Sequence, residues 1–183
     1  MKNVLMIVGH SNYGNSLSNK TIADTAKGNT NITVRNLADV SDGFNFNVEE
    51  EQKALASADI IVLQFPFHWY ALPALFKKWM DDVLQFGFAY GPGGDKLSGK
   101  KLVLSFTTGG PSDTYTKDGS NNYTVEEFTA PLIQTAQFCQ MEYAGNVCSN
   151  GMLYIPDMMG DKDEVTAKAK DHAKRLVEHL ESL

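Results

Sequence analysis

The chain has 183 residues, 43% of them hydrophobic and 21% charged, and its 16 basic against 22 acidic residues leave a formal net charge of −6. A chain this long buries roughly 70% of the surface its unfolded form exposes, so neither a disulfide nor a metal is needed to hold a core, and residues 1–183 read as one domain. The charge balance, with Lys77-Lys78 and Lys100-Lys101 each interrupted at once, excludes the clustered positive field that a nucleic-acid backbone requires. Cys139 and Cys148 stand outside any Cys-x-x-Cys pair, as buried thiols of a reducing compartment do. The apolar run over residues 4–8 is too short for the core of a signal peptide, and no stretch reaches the length of a membrane span. The expectation is a cytoplasmic chain with no membrane insertion.

In chain order, Val4-Leu5-Met6-Ile7-Val8 is continuously apolar and stops at Gly9, as a strand buried on both faces does. A polar, Gly-containing stretch precedes a predicted helix over 17–26, ended by Gly28. Ile32-Thr33-Val34 reads as a second strand, and the Glu-rich opening and alanines of 48–57 as a helix. Ile60-Ile61-Val62-Leu63 is a third strand, ending at Phe65-Pro66. Leu72, Leu75, Phe76, Trp79, Met80 and Val83 then recur at helical spacing, with Pro73 in the first turn. The Gly91-Pro92-Gly93-Gly94 segment lacks the dinucleotide fingerprint and reads as a flexible loop. A fourth strand over 101–106 closes on Thr107-Thr108-Gly109-Gly110. The next helix runs through Phe128, Leu132 and Ala136, with Pro131 marking a kink or a late start. A fifth strand over 141–147 and a last helix, with Val165, Ala169, Leu176 and Leu180 on one face, complete the chain.

Five strands alternating with helices imply a parallel α/β sheet covered on both faces. In such sheets ligands gather beyond the carboxyl ends of the strands, near the switch point of strand order. The loops after strands one, three and four therefore become the candidate site. The first, residues 9–19, joins a buried strand to a helix N-terminus, where free N–H groups and the helix dipole favour an anion. Its glycines and Ser16 approach the phosphate loop of nucleoside triphosphatases, but Asn15 stands where that loop needs lysine. A neutral cradle of this kind suits one phosphate or a diphosphate bridge; a ligand-free N-cap by Ser16 is the plain alternative. In the second loop, Phe65, Phe67, Trp69 and Tyr70 crowd around Pro66 and His68, too densely for all to point inward. They could hold a flat heterocycle. In the third, Gly109-Gly110 lets backbone approach a ligand closely, and Tyr115 follows shortly after.

These stretches resemble the flavodoxin-like NAD(P)H dehydrogenase (quinone) family, which includes bacterial general stress flavoproteins and the ancillary oxidoreductases of glutathione-gated potassium efflux. Gln64-Phe65-Pro66, Trp69-Tyr70, Leu72-Pro73, Lys78-Trp79, Phe88-Ala89-Tyr90-Gly91 and Thr107-Thr108-Gly109-Gly110 carry the likeness, with the His10, Ser16 and Asn19 positions of the first loop. The resemblance implies a five-stranded parallel sheet of order 2-1-3-4-5 and a bound flavin, FMN with FAD as the alternative. It implies that His10, Ser16, Leu17, Ser18 and Asn19 hold the flavin phosphate and that Pro66, Phe67, His68, Trp69 and Tyr70 line the ring edge and ribityl chain. Thr107, Thr108, Gly109 and Gly110 would meet the pyrimidine end, with Tyr115 as the catalytic side chain beside the flavin. Where some relatives carry a proton-relay histidine this chain has Asn121, which cannot exchange a proton near neutral pH.

The activity so implied is hydride transfer from NAD(P)H through the flavin to a flat quinone-like acceptor, with donor and acceptor taking turns at one stacking site. The family pairs as homodimers, and Phe86, Phe88 and Tyr90 form a candidate exposed strip for that contact. Other readings are a regulatory flavoprotein associated with a potassium-efflux transporter, an FMN-dependent azoreductase and a one-electron carrier. No metal-ligand cluster or nucleophile–base spacing points to a hydrolase.

Overall fold

The structure, a computed structural model, describes residues 2–29 and 31–183. Five parallel strands, β1 (Val4–Val8), β2 (Ile32–Asn36), β3 (Ile60–Pro66), β4 (Lys101–Thr107) and β5 (Glu142–Ser149), are hydrogen-bonded in the order β2-β1-β3-β4-β5. This is the flavodoxin-like order, with the switch point between β1 and β3. Five longer helices, α1 (Leu17–Ala26), α2 (Val48–Ser57), α3 (Ala74–Val83), α4 (Val125–Phe138) and α5 (Lys162–Glu181), cover the two faces. Strand parity sorts the core. Ile61, Leu63 and Phe65 with Leu102, Leu104 and Phe106 face α2, α3 and α4, whereas Ile60, Val62, Val103 and Val147 face α1 and α5. On the second face the apolar rows turn polar toward their carboxyl ends, at Gln64, Ser105, Thr107 and Ser149, all of them buried.

Local chemistry sets most helix boundaries. Ser16 accepts from Asn19 N–H at the start of α1, and Asn47 accepts from Glu50 N–H at the start of α2. Thr124 and Glu127 form a reciprocal capping box, so α4 opens at Val125 and carries Pro131 in its interior rather than starting late. Pro73 is extended (ψ 152°) and caps α3 from outside, so Leu72 and Pro73 precede this helix instead of forming its first turn.

Two features are invisible to periodicity. Between Leu102 and Leu104 the β4–β5 register slips by one residue, a bulge at Ala144–Gly145 where Gly145 takes φ 103°. An alternating strand would place residues 144, 146 and 148 on one face; after the bulge Val147 and Ser149 turn toward α5 instead. Secondly, Glu51 of α2 is 1% exposed. Arg35 of β2 donates Nε to both of its carboxylate oxygens at 2.8 Å, and Trp79 of α3 donates Nε1 at 3.0 Å. Of the apolar strip, Phe86 is 66% exposed, while Phe88 and Tyr90 are half-buried against the core because their loop folds back beneath α4. Among the described residues no helix is long and apolar enough to cross a membrane.

Candidate active site

A cleft of about 250 Å³ opens at the carboxyl edge of the sheet between β1 and β4. Just before His10, the first lining residue, Gly9 follows β1 with its N–H donating to the Gln64 carbonyl at 3.0 Å. A Cβ at Gly9 would lie 2.7 Å from Phe76 Cγ, inside the ring's own volume, and Phe76 is fully buried with no room to retreat. Gly9→Ala is accordingly expected to cost about 1–3 kcal/mol in a urea titration; an unchanged midpoint would show that Phe76 can yield.

Beyond Gly9 the chain turns through a short 3-10 segment, Tyr13–Asn15, and enters α1. The first-turn N–H groups of Leu17 and Ser18 have no intrahelical acceptor and carry the positive end of the helix dipole. Ser16, Ser18 and Asn19 are buried beside them, and Asn12 and Asn15 complete this side of the cleft. His10 accepts the Asn12 N–H on Nδ1 at 2.9 Å, which leaves its proton on Nε2. Burial, with the neighbouring His68 ring 5.5 Å away, pulls its pKa down to about 4. Burial lowers His68 as well, and its Nδ1 meets Ser11 Oγ at 3.1 Å. Both imidazoles are neutral donors and acceptors at neutral pH.

On the opposite wall, Pro66 and Phe67 continue β3, and Phe67 N–H donates to the Thr107 carbonyl at 2.8 Å. The Phe67 ring lies flat on Phe106 at 4.8 Å. Trp69 and Tyr70 then occupy a two-residue turn with φ of 51° and 63°, closed by hydrogen bonds between His68 and Ala71 in both directions. Two successive left-handed residues reverse the chain at once and carry these side chains away from the cleft. Trp69 is 94% exposed. Tyr70 stacks on Phe128 at 5.0 Å and donates to Asn121 Oδ1 at 3.2 Å. Asn121 in turn donates to Thr114 Oγ1 at 2.8 Å, so it holds the loop that bears Tyr115.

The third wall is Thr107, Thr108 and Gly109. Thr108 Oγ1 donates to the Gly110 carbonyl at 2.9 Å, and Gly110 packs against the Tyr115 ring. Burial pushes the Tyr115 phenol above its ordinary pKa, so it stays a neutral O–H donor at neutral pH. Thus His10, Ser16, Leu17, Ser18, Asn19, Pro66, Phe67, His68, Thr107, Thr108 and Gly109 line one cleft, while Trp69, Tyr70, Gly110 and Tyr115 stand at or beyond its rim. A fourth wall, Met152, Leu153 and Tyr154, comes from the loop after β5. Gly151 N–H to the Gly110 carbonyl (2.8 Å) and Met152 N–H to the Thr108 carbonyl (2.9 Å) pin it there. The Asn150-Gly151 pair, a turn signal at a strand exit, was its sequence mark.

None of the lining residues is lysine or arginine. The donors are neutral amides, hydroxyls and first-turn N–H groups, beside aromatic and threonine walls. That set fits a phosphate monoester joined to a polyhydroxyl chain and a flat ring, and it fits a triphosphate with magnesium poorly.

The chain matches the flavodoxin-like fold family over residues 2–180. It is 38% identical over 97% of both chains to an uncharacterized NAD(P)H oxidoreductase, YrkL, of Bacillus subtilis. It is 34% identical to the glutathione-regulated potassium-efflux ancillary protein KefF of Salmonella newport, over 95% of each. Among solved structures, general stress protein 14 of Treponema denticola in complex with FMN superposes with a TM-score of 0.86 at 31% identity, covering 97% of this chain and 99% of that one. An NADPH-quinone reductase from P. pentosaceus superposes at 0.79 with 27% identity, over 94% and 96%. With the sheet order, the neutral anion cradle and the double-glycine wall in one cleft, the chain belongs to the flavodoxin-like fold family and, within it, to the NAD(P)H oxidoreductases.

Proposed function

We propose that the protein binds FMN in this cleft and uses it to pass hydride from NAD(P)H to a flat, quinone-like acceptor. One observation carries the reading: the α1 N-terminus, the Pro66–His68 wall and the Thr107–Gly109 wall face a single cleft at the strand-order switch point. The general stress protein 14 complex with FMN and the NADPH-quinone reductase likeness support it. When bound, the flavin supplies the hydride chemistry. Leu17 and Ser18 N–H with Ser16 and Ser18 hydroxyls would hold its phosphate, and Thr107, Thr108 and Gly109 its polar ring edge. Pro66 and Phe67 would set the plane of the ring by packing, since Phe67 is itself fixed on Phe106. Tyr115, neutral and beside Gly110, would donate a hydrogen bond where negative charge develops. Asn121 holds the Tyr115 loop and moves no proton, so protons come from Tyr115 or from solvent.

An acceptor that stacks where the nicotinamide stacked must wait for it to leave, so the kinetics are ping-pong. Phe86 and Phe138, both exposed and both packed on Tyr90, form an apolar patch against which a second copy would complete the site. The purified chain is expected to show a flavin band that NADPH bleaches under anaerobic conditions and a quinone restores, with parallel double-reciprocal lines. A colourless protein that takes up no added FMN would overturn this function. The KefF likeness supports association with a potassium-efflux transporter as an additional role, to be checked by co-purification with such a transporter after turnover is abolished.

A further inference from the structure

Beneath the cleft, a row of buried polar side chains crosses the α1/α5 face of the sheet. Arg175 Nη2 donates to Ser149 Oγ at 2.7 Å, and Ser149 Oγ lies 2.9 Å from His172 Nδ1. His172 Nε2 lies 2.8 Å from Ser105 Oγ, which donates to Gln64 Oε1 at 2.5 Å. Gln64 Nε2 donates to Asn19 Oδ1 at 2.7 Å, and Asn19 Nδ2 donates to Thr107 Oγ1 at 3.2 Å. His172, Gln64 and Ser105 are 0% exposed, Asn19 1% and Thr107 3%, and every buried polar side-chain atom among the described residues has a partner.

The direction of this row follows from its middle. Ser105 gives its one hydrogen to Gln64 Oε1, so it accepts from His172 Nε2, and neutral His172 is the Nε2–H tautomer. His172 Nδ1 is then an acceptor and takes the hydrogen of Ser149, which itself accepts from the Arg175 guanidinium. Beyond Ser105, the Gln64 amide donates to Asn19 Oδ1 and so sets the Asn19 amide. At the far end Thr107 Oγ1 receives a hydrogen bond, and among the described residues no acceptor takes its own hydrogen. Thr107 lines the cleft.

We propose that His172 is a positioning residue for the cofactor site: through Ser105, Gln64 and Asn19 it holds the Thr107 hydroxyl as a hydrogen-bond donor toward an acceptor atom of the flavin. This inference rests on the flavin reading above. It gives α5, whose residues do not line the cleft, a defined part in ligand binding. It also explains why Gln64, Ser105 and Ser149 interrupt apolar rows at buried positions where valine or isoleucine would otherwise continue. Partner groups in a buried network must all be matched, and the Ser105 hydrogen on Gln64 Oε1 leaves His172 only one tautomer that matches both of its neighbours.

Two measurements test it. On the flavin-free protein with 15N-labelled histidine, His172 is expected to show the Nε2–H tautomer alone; the Nδ1–H form, or a rapidly exchanging mixture, would overturn the assigned direction. FMN dissociation constants are then compared for Thr107→Val, His172→Phe and the double variant. Each single change is expected to weaken FMN roughly fivefold, the scale of one neutral hydrogen bond, and the double variant to bind no more weakly than Thr107→Val. Multiplying penalties, with FMN still bound by the unmodified chain, would overturn this inference alone. No FMN uptake by the unmodified chain would overturn the flavin reading and the Thr107 link with it. Should His172→Phe not fold, Ser105→Ala severs the same row one step later and enters the same cycle.

Discussion

Replacing Glu51 with alanine is expected to lower folding stability by about 3–5 kcal/mol. The carboxylate sits out of water with three polar hydrogens aimed at it, from Arg35 Nε and Nη2 and from Trp79 Nε1. Its removal leaves a guanidinium whose side chain is 23% exposed without its charge partner, and an indole N–H, itself in a 2% exposed side chain, without an acceptor. Neither loss is compensated, because Glu50 reaches Arg35 only at 3.8 Å from a solvated position. Desolvated partners left behind cost more than the pair contributes, so replacing both, as Arg35→Met with Glu51→Leu, is expected to recover most of the loss. Urea unfolding of the three variants checks both statements. A Glu51→Ala protein within about 1 kcal/mol of the parent would mean that water reaches Arg35 freely. The same packing reaches the cleft: Trp79 meets Phe76 edge-on at 5.8 Å, and Phe76 fills the space that Gly9 leaves open.

Acid is expected to weaken the fold through His172, by about 2 kcal/mol between about pH 7.5 and about pH 5. Burial, then the nearby Arg175 charge, pull its pKa from 6.5 down to about 3, against a smaller opposing pull from Asp171. The folded state therefore binds fewer protons than the unfolded state below pH 6.5. Stability from this group is complete above that value and is lost as pH falls toward 3, the sign of a buried neutral base. His10 and His68 act in the same direction, and their greater exposure makes their share smaller. The diagnostic comparison is with His172→Phe, which removes the titration. Its stability is expected to change less with pH over that window, whatever its absolute value at pH 7.5. Parallel pH dependences in the two proteins would show that the imidazole takes up its proton as readily in the fold as in the unfolded chain.

Much of this architecture is legible in the amino-acid sequence. The helices over 17–26 and 48–57 fall where expected because Ser16 and Asn47 cap them and apolar residues recur at helical spacing. Val4–Val8 and Ile60–Leu63 are strands because continuous apolar runs fit only a sheet covered on both sides. The strand-exit rule then pointed to loops that do line one cleft, with Thr107–Gly109 opposite the first turn of α1. Where local signals were reciprocal, as in the capping box of α4, they outweighed Pro131 as a marker of the boundary. His172 itself lies in register with Val165, Ala169 and Leu176 on the apolar face of α5, a visible sign of burial that said nothing of its partners.

The sequence by itself determined the strand and helix order, the two-sided core and the loops that carry polar and aromatic side chains to one edge of the sheet. These follow from short-range patterns, each spanning a strand or a few helical turns. Only the tertiary structure decided that Trp69 and Tyr70 turn away from the cleft, because two left-handed residues reverse the chain there. It alone brought Met152 to Tyr154 into the wall, through hydrogen bonds to residues about forty positions earlier. It alone placed Ser149 beside His172, because a bulge at Gly145 shifts the face of every later residue in β5. A one-residue slip in a period of two inverts what a strand presents, and the energy that selects it comes from α5 packed across the sheet, far along the chain.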